Sequence, residues 1–269
     1  MSMKNKFLFV LVLAGCVLTF GIACKKDYLV KTPAPAADSS FAYIKIADIS
    51  PSFRSMMKSP DTFTVYLDST RLSTPLSYGV TFPNNAGTVV NAYAAIPPGT
   101  HKLRISFKGT TTADSTITSF TESFTAARYY TFMITDSLLA TRDTARMFIQ
   151  DYFPAPLTGT YNLRFINAVI NDTPGLAVDL YSTRKNANLF TKIKPDSVTS
   201  FQALAYNAQL NDTIFVRRSG TTFNLAVVAK AGGLVFTPGN QRSYTICFQG
   251  NGTLTTGTKA RSLVGYVNY

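Results

Sequence analysis

Short runs in which apolar and polar residues alternate, repeated in the same order in the second half of the chain, restrict the possible folds more than any other feature of this sequence. Ala42-Tyr43-Ile44-Lys45-Ile46-Ala47, Phe63-Thr64-Val65-Tyr66-Leu67 and His101-Lys102-Leu103-Arg104-Ile105-Ser106-Phe107 all alternate. A side-chain period of two sets Leu103, Ile105 and Phe107 on one face and Lys102, Arg104 and Ser106 on the other, which is the pattern of a half-buried antiparallel strand. Gly, Pro, Asn and Asp bound the runs, and Thr, Val, Ile, Tyr and Phe fill them. Before the third run, Pro97-Pro98-Gly99-Thr100 reads as a turn, proline pre-setting φ and glycine accepting a left-handed conformation.

Ile44-Lys45-Ile46 is answered by Leu163-Arg164-Phe165, Val65-Tyr66-Leu67 by Val178-Asp179-Leu180, Arg128-Tyr129-Tyr130-Thr131 by Arg242-Ser243-Tyr244-Thr245, and Ala145-Arg146 by Ala260-Arg261. The offset stays between 113 and 119 residues, so the order is duplicated as well as the composition. Two similar domains are expected, 41–153 and 154–269, meeting near Tyr152-Phe153-Pro154-Ala155-Pro156, where prolines interrupt the pattern. About seven short strands in each suit two sheets packed face to face. The expected architecture is therefore all-β: two tandem antiparallel β-sandwiches after an N-terminal signal helix and a flexible tether.

Lys4 and Lys6 precede an uncharged run from Phe7 to Ala23 that ends at Cys24-Lys25-Lys26-Asp27. A basic start, an apolar centre and small residues before a cysteine describe a lipoprotein signal, here residues 1–23, with lipid on Cys24. Cys16 is the competing position, but cutting there leaves an apolar centre of only about seven residues, the lower limit. Residues 24–40, with Pro33 and Pro35, read as an extended tether. The implied location is the cell envelope, anchored by lipid to the outer membrane on its periplasmic face or at the cell surface, so that the first partner is the bilayer itself.

No catalytic constellation is legible. With Cys16 removed and Cys24 lipidated, Cys247 stands without a disulfide partner, in a β-like run that marks it as a core thiol. His101 is the single histidine, expected on the polar face of its strand, and one His with one apolar Cys cannot close a zinc site. No cofactor motif occurs. The balance of 26 Lys and Arg against 14 acidic residues favours anionic neighbours, but the basic residues are scattered and match no nucleic-acid motif. Aspartates followed by Ser or Thr are frequent. They fit either an O-glycosylation signal, with Ser69, Ser115, Ser137, Thr144, Ser197 and Thr213 as acceptors, or turns in which the Asp side chain satisfies backbone groups. Tyr129, Tyr130, Tyr152 and Phe153 are the aromatics expected on an exposed platform.

Arg164-Phe165-Ile166-Asn167-Ala168, continuing into Pro174-Gly175-Leu176-Ala177-Val178-Asp179-Leu180-Tyr181, resembles the opening strand, proline loop and second strand of the domain-of-unknown-function 4397 family. In the first copy, Ala95-Ile96-Pro97-Pro98-Gly99-Thr100 is similar to that family's Pro-x-Gly-Thr hairpin, while Asn167 stands where the family often has a histidine. The resemblance implies an immunoglobulin-like sandwich at the cell envelope and brings no established activity. The leader followed by Cys-Lys-Lys-Asp resembles lipoproteins of the Bacteroidota. A non-catalytic binding or scaffolding module with an envelope protein or glycan as partner is the leading expectation. A carbohydrate-active hydrolase or its accessory subunit, using the scattered Asp residues and Glu122, and a purely structural or adhesive surface protein are the alternatives.

The leader yields the first prediction. Mass spectrometry of the mature N-terminus shows a lipid-modified Cys24, and Cys24→Ala releases the protein from membranes; an intact Met1 start or an unmodified Cys24 overturns the assignment.

Overall fold

The computed structural model describes residues 38–51, 62–83, 93–107, 116–135, 146–170, 176–208, 210–225 and 233–268. Nineteen strands and no helix occur among these described residues, and the leader 1–23, Cys24 and the tether as far as residue 37 lie outside them. The first half contains β1 (Ala42–Asp48), β2 (Thr62–Leu67), β3 (Thr70–Arg71), β4 (Leu76–Ser77), β5 (Thr81–Phe82), β6 (Ala94–Ile96), β7 (Gly99–Phe107), β8 (Thr116–Phe124), β9 (Tyr129–Ile134) and β10 (Arg146–Asp151). The second contains β11 (Thr160–Ile170), β12 (Val178–Ser182), β13 (Ala187–Ile193), β14 (Ser197–Val198), β15 (Gln202–Ala205), β16 (Asp212–Arg218), β17 (Leu234–Phe236), β18 (Ser243–Asn251) and β19 (Ser262–Val267).

Each half builds two sheets. In the first, one sheet runs β10-β9-β1, with β5 and β6 along the far side of β1; the other runs β3-β2-β7-β8, with β4 also on β2. In the second, the sheets are β19-β18-β11, with β14 and β15 along β11, and β13-β12-β16-β17. Alternation delivers the expected faces: Leu103 and Ile105 of β7 and Phe63 and Val65 of β2 meet Ile44 and Ile46 of β1 and Phe132 and Ile134 of β9 in one core. Leu163 and Phe165 of β11 meet Leu180 of β12, Val216 of β16 and Ile246 of β18 in a second. Gly99 opens β7 at φ +125°, the backbone region its lack of a side chain permits.

One pair in each half runs parallel, β1 beside β9 and β11 beside β18, among ladders that are otherwise antiparallel. Period-two patterning reports which face a residue takes and is silent on strand direction, so this feature escaped the sequence. A third apolar cluster joins the halves. Ala47, Met133 and Met147 from the first pack with Ile166, Ala168 and Cys247 from the second, so the β10-β9-β1 and β19-β18-β11 sheets lie against each other by the faces they turn away from their own cores. The result is four layers of sheet, and β1, β11 and β18 are buried along nearly their whole length because both their faces are covered.

A shared local device closes each sandwich. The Tyr130 hydroxyl accepts the Thr125 N–H at 2.8 Å, and the Tyr244 hydroxyl accepts the Gly239 N–H at 2.6 Å. In both halves a tyrosine near the start of a central strand thus ties down the turn five residues upstream, as in the tyrosine corner of immunoglobulin-like sandwiches.

Tyr130→Phe and Tyr244→Phe each leave a part-buried N–H without its acceptor. Each is expected to cost about 1–3 kcal/mol in urea unfolding, and an unchanged midpoint for both argues against the corners as stabilising elements.

Candidate functional site

The faces that bring the halves together are apolar at one end and polar at the other. Arg164, on β11, sends Nη2 to within 2.6 Å of Asp151 Oδ1 at the end of β10, with 4 % and 0 % of the two side chains exposed. Nε of Arg164 donates to Thr245 Oγ1 at 2.8 Å, and Oδ2 of Asp151 accepts the hydroxyls of Thr131 and Tyr93. Oδ2 is thus doubly hydrogen-bonded while Oδ1 is paired with the guanidinium by charge alone, and partners of both kinds are what let a buried ion pair be tolerated. Burial and the neighbouring carboxylate together raise the Tyr93 phenol well above its ordinary range, so it stays a proton donor to Asp151.

A chain of aromatic rings crosses the junction beside this pair. Tyr43 stacks on Tyr129 at 4.8 Å between centroids, Tyr129 meets Tyr93 and Phe153 edge-on at 5.1 and 5.7 Å, and Phe153 reaches Phe201 at 5.7 Å. The Arg164 guanidinium lies 4.9 Å from the centre of the Phe201 ring. Above Arg164 and Phe201 opens a groove of about 390 Å³, walled by Ile149, Gln150, Tyr152 and Pro154 on one side and by residues 198–201 on the other. Its size lies within the range of ligand sites, and its lining mixes apolar walls with uncharged hydrogen-bonding groups on Gln150, Tyr152, Thr199 and Ser200.

The structure divides the four aromatics singled out in the sequence. Tyr152 is 73 % exposed and forms a wall of the groove. Tyr129 and Phe153 are half-buried in the ring chain next to it. Tyr130 corrects the expectation of an exposed platform: it is 3 % exposed, stacked on Phe148 inside the first core. Adjacent residues on a strand face opposite ways, so Tyr129 and Tyr130 cannot share a surface. Arg164, Phe201 and Gln150 were missed; an arginine between Leu163 and Phe165 in a strand that is otherwise largely apolar was the available signal.

Of the proposed glycan acceptors, Ser115, Ser137 and Thr144 lie outside the described residues; Ser69 is exposed, and Ser197 and Thr213 are half-buried. The preceding aspartates have structural work. Asp68 and Asp196 hold left-handed backbone, at φ 55° each. Asp68 also accepts the Lys102 N–H and pairs with His101 Nδ1 at 2.7 Å, which keeps its carboxyl below the ordinary value. Asp212 is buried and accepts the Ser182 hydroxyl and the Arg184 N–H. His101 is thus partly buried against Asp68 and Phe124, where plain exposure was expected. Among the described residues its Nε2 meets no hydroxyl, so no Ser-His-Asp relay is assembled. Glu122 is held by Arg146, with Oε1 2.5 Å from Nε. Cys247 is a free buried thiol that burial pushes up to about 12, and Asn167 is enclosed with its amide donating to the Ile193 carbonyl. No group of three or more His, Cys, Asp or Glu that could hold a metal occurs among the described residues.

Arg164→Met alone strands the Asp151 carboxylate and is expected to cost about 3–5 kcal/mol in denaturant unfolding, whereas Arg164→Met combined with Asp151→Leu recovers most of that loss. Additive losses in the double variant would show that the two residues act separately.

No curated protein matches the chain. A crystal structure described as a "putative adhesin" from Bacteroides ovatus aligns over 85 % of this chain and 98 % of its own, at 9 % identity and a TM-score of 0.20, a value that carries no weight for fold or activity. Residues 42–171, from β1 through β11, match the model of the family described as domain of unknown function DUF4397.

Proposed function

We propose that this chain is a lipid-anchored, non-catalytic binding module of the cell envelope, and that the groove beside Tyr152 retains a glycan chain. The anchor is Cys24, and two sandwich domains, 41–153 and 154–269, present the groove at their junction. One observation carries the reading. An exposed tyrosine faces uncharged hydrogen-bonding groups across a preformed groove whose one cation, Arg164, is already neutralised by Asp151. Sugars are recognised in that way, by stacking against an aromatic ring with amides and hydroxyls meeting their edges. A hydrolase would need two carboxylates flanking the ligand. Asp151 is engaged by Arg164, and Glu122, the acid considered for such chemistry, is engaged by Arg146.

A specific observation supports a protein partner as the second reading. Among the described residues β10 is the last strand of its sheet, and it supplies Ile149 and Gln150 to the groove, so its outer edge offers an extended segment a place to pair. If the exposed Ser69 carries an O-glycan, that modification lies on the β2–β3 turn, away from the residues that line the groove.

Tyr152→Ala is expected to weaken retention of envelope polysaccharide in affinity electrophoresis at least about tenfold, while Phe223→Ala, another exposed ring, leaves it unchanged. Retention unaffected by Tyr152→Ala sinks the glycan reading. Retention of a protein partner that is abolished by Gln150→Pro, which removes a backbone donor from β10, establishes the second reading instead.

A further inference from the structure

The two halves place equivalent side chains at their junction, and the equivalence is incomplete at one position. Lys45 of β1 lies in register with Thr131 of β9, and Arg164 of β11 lies in register with Thr245 of β18. The third position closes the neighbouring strand. Asp151 stands opposite Tyr129, two residues before Thr131, while the Asn268 N–H bonds the carbonyl of Ser243, two residues before Thr245. Each half thus offers a cation, a threonine and an Asx residue. The cation of the second half, Arg164, finds the acid of the first, Asp151. The reciprocal pairing would join Lys45 to position 268, which is asparagine.

Lys45 is left without its acid. It is 4 % exposed, its Nζ lies 4.5 Å from the centre of the Tyr93 ring, and it has no hydrogen-bond partner among the described residues. Burial lowers the amine to about 8, helped by Arg164 and opposed by Asp151, so at neutral pH it is still largely an ammonium. Two cations against one carboxylate leave one buried positive charge uncompensated, an arrangement that is costly without a counter-charge.

Beside Lys45 lies a small cavity that leaves the centre of a water-sized particle about 10 Å³ of room and so admits a slightly larger sphere; Arg164, Thr131, Thr245 and Asn268 line its polar side, and Ala47 and Met133 are apolar wall. The polar side carries donors that have no acceptor of their own. Thr245 Oγ1 accepts from both Arg164 and Asn268, which leaves its own proton to donate; Asn268 has a second amide proton; and Lys45 Nζ has three protons and no acceptor.

We infer that this cavity binds one small monovalent anion, of the size class of chloride, which takes the place of the carboxylate that Asn268 lacks. The ion neutralises Lys45 and completes the polar seam between the halves. This inference is independent of the groove and its ligand.

The test uses the full chain at pH 7, comparing sodium chloride or bromide with sodium gluconate at equal ionic strength, since gluconate is too large for the cavity. Halide at about ten times its Kd raises the unfolding midpoint by roughly 3–6 °C, and the chlorine NMR line broadens on adding protein. Lys45→Met removes the charge and both responses; Asn268→Asp supplies the missing acid and removes them too, with a midpoint in gluconate at least that of the parent in chloride. Both responses fade between pH 7 and 9 as Lys45 loses its proton. The other groups facing it are the Asp151–Arg164 ion pair and Tyr93, Tyr266 and Cys247, the last three all pushed upward by burial, away from that window. Equal midpoints in halide and gluconate, or broadening that persists in Lys45→Met, overturn the assignment. Should Asn268→Asp fail to fold, the Lys45→Met comparison and the chlorine line width still decide it.

Discussion

Two sheets, each already the wall of a sandwich, are pressed together by their outer faces, and the rest of the molecule follows from that contact. Ala47, Ala168, Met133 and Cys247 supply small or pliable side chains where the sheets meet, which lets them approach without voids. The contact turns β1, β11 and β18 from half-buried strands into strands covered on both sides. It also forces Lys45, Asp151 and Arg164, which an isolated sandwich would leave in water, into a place where each needs an internal partner. The groove is a product of the same contact, since its walls come from the end of β10, the connection after it and the β14–β15 turn of the other half.

Much of this architecture was legible, and the limits of legibility have physical causes. Alternation in β2 and β7 placed Val65, Leu103 and Ile105 correctly because one face of each strand is apolar and one polar. The duplication was legible because Ile44-Lys45-Ile46 and Leu163-Arg164-Phe165 occupy the same register against Tyr130 and Tyr244. Near the chain's end the matching of Ala145-Arg146 with Ala260-Arg261 is two residues out of step: Arg146 stands opposite Ile134, whereas Leu263 stands opposite the equivalent Phe248. An even slip keeps every side chain on its face, so patterning cannot detect it.

The site was harder to read than the fold. Tyr152 emerged because it lies in a proline-rich connection, where a large ring has little core to join. Tyr130 misled because two consecutive tyrosines look alike in composition, while the pleat sends one to the core and the other to the junction. Arg164 and Lys45 passed as ordinary outward-facing polar residues, since a sequence carries no mark of which solvent-side face will be covered by a second sheet. Phe201 comes from a connection whose own pattern says nothing about a neighbour contributed by the other half.

The parallel pairing of β1 with β9 has a consequence for how the chain comes to be folded. Tyr43 meets its partner Tyr129 only after everything from β2 to β8 has been made, and Leu163 waits likewise for Tyr244. The first strand of each half is thus paired early on one edge, by β5 and β6 or by β14 and β15, and only late on the other, where closure over so long an intervening segment is slow. Until then an apolar strand at the front of each copy keeps one edge open, the kind of surface on which unfinished chains aggregate.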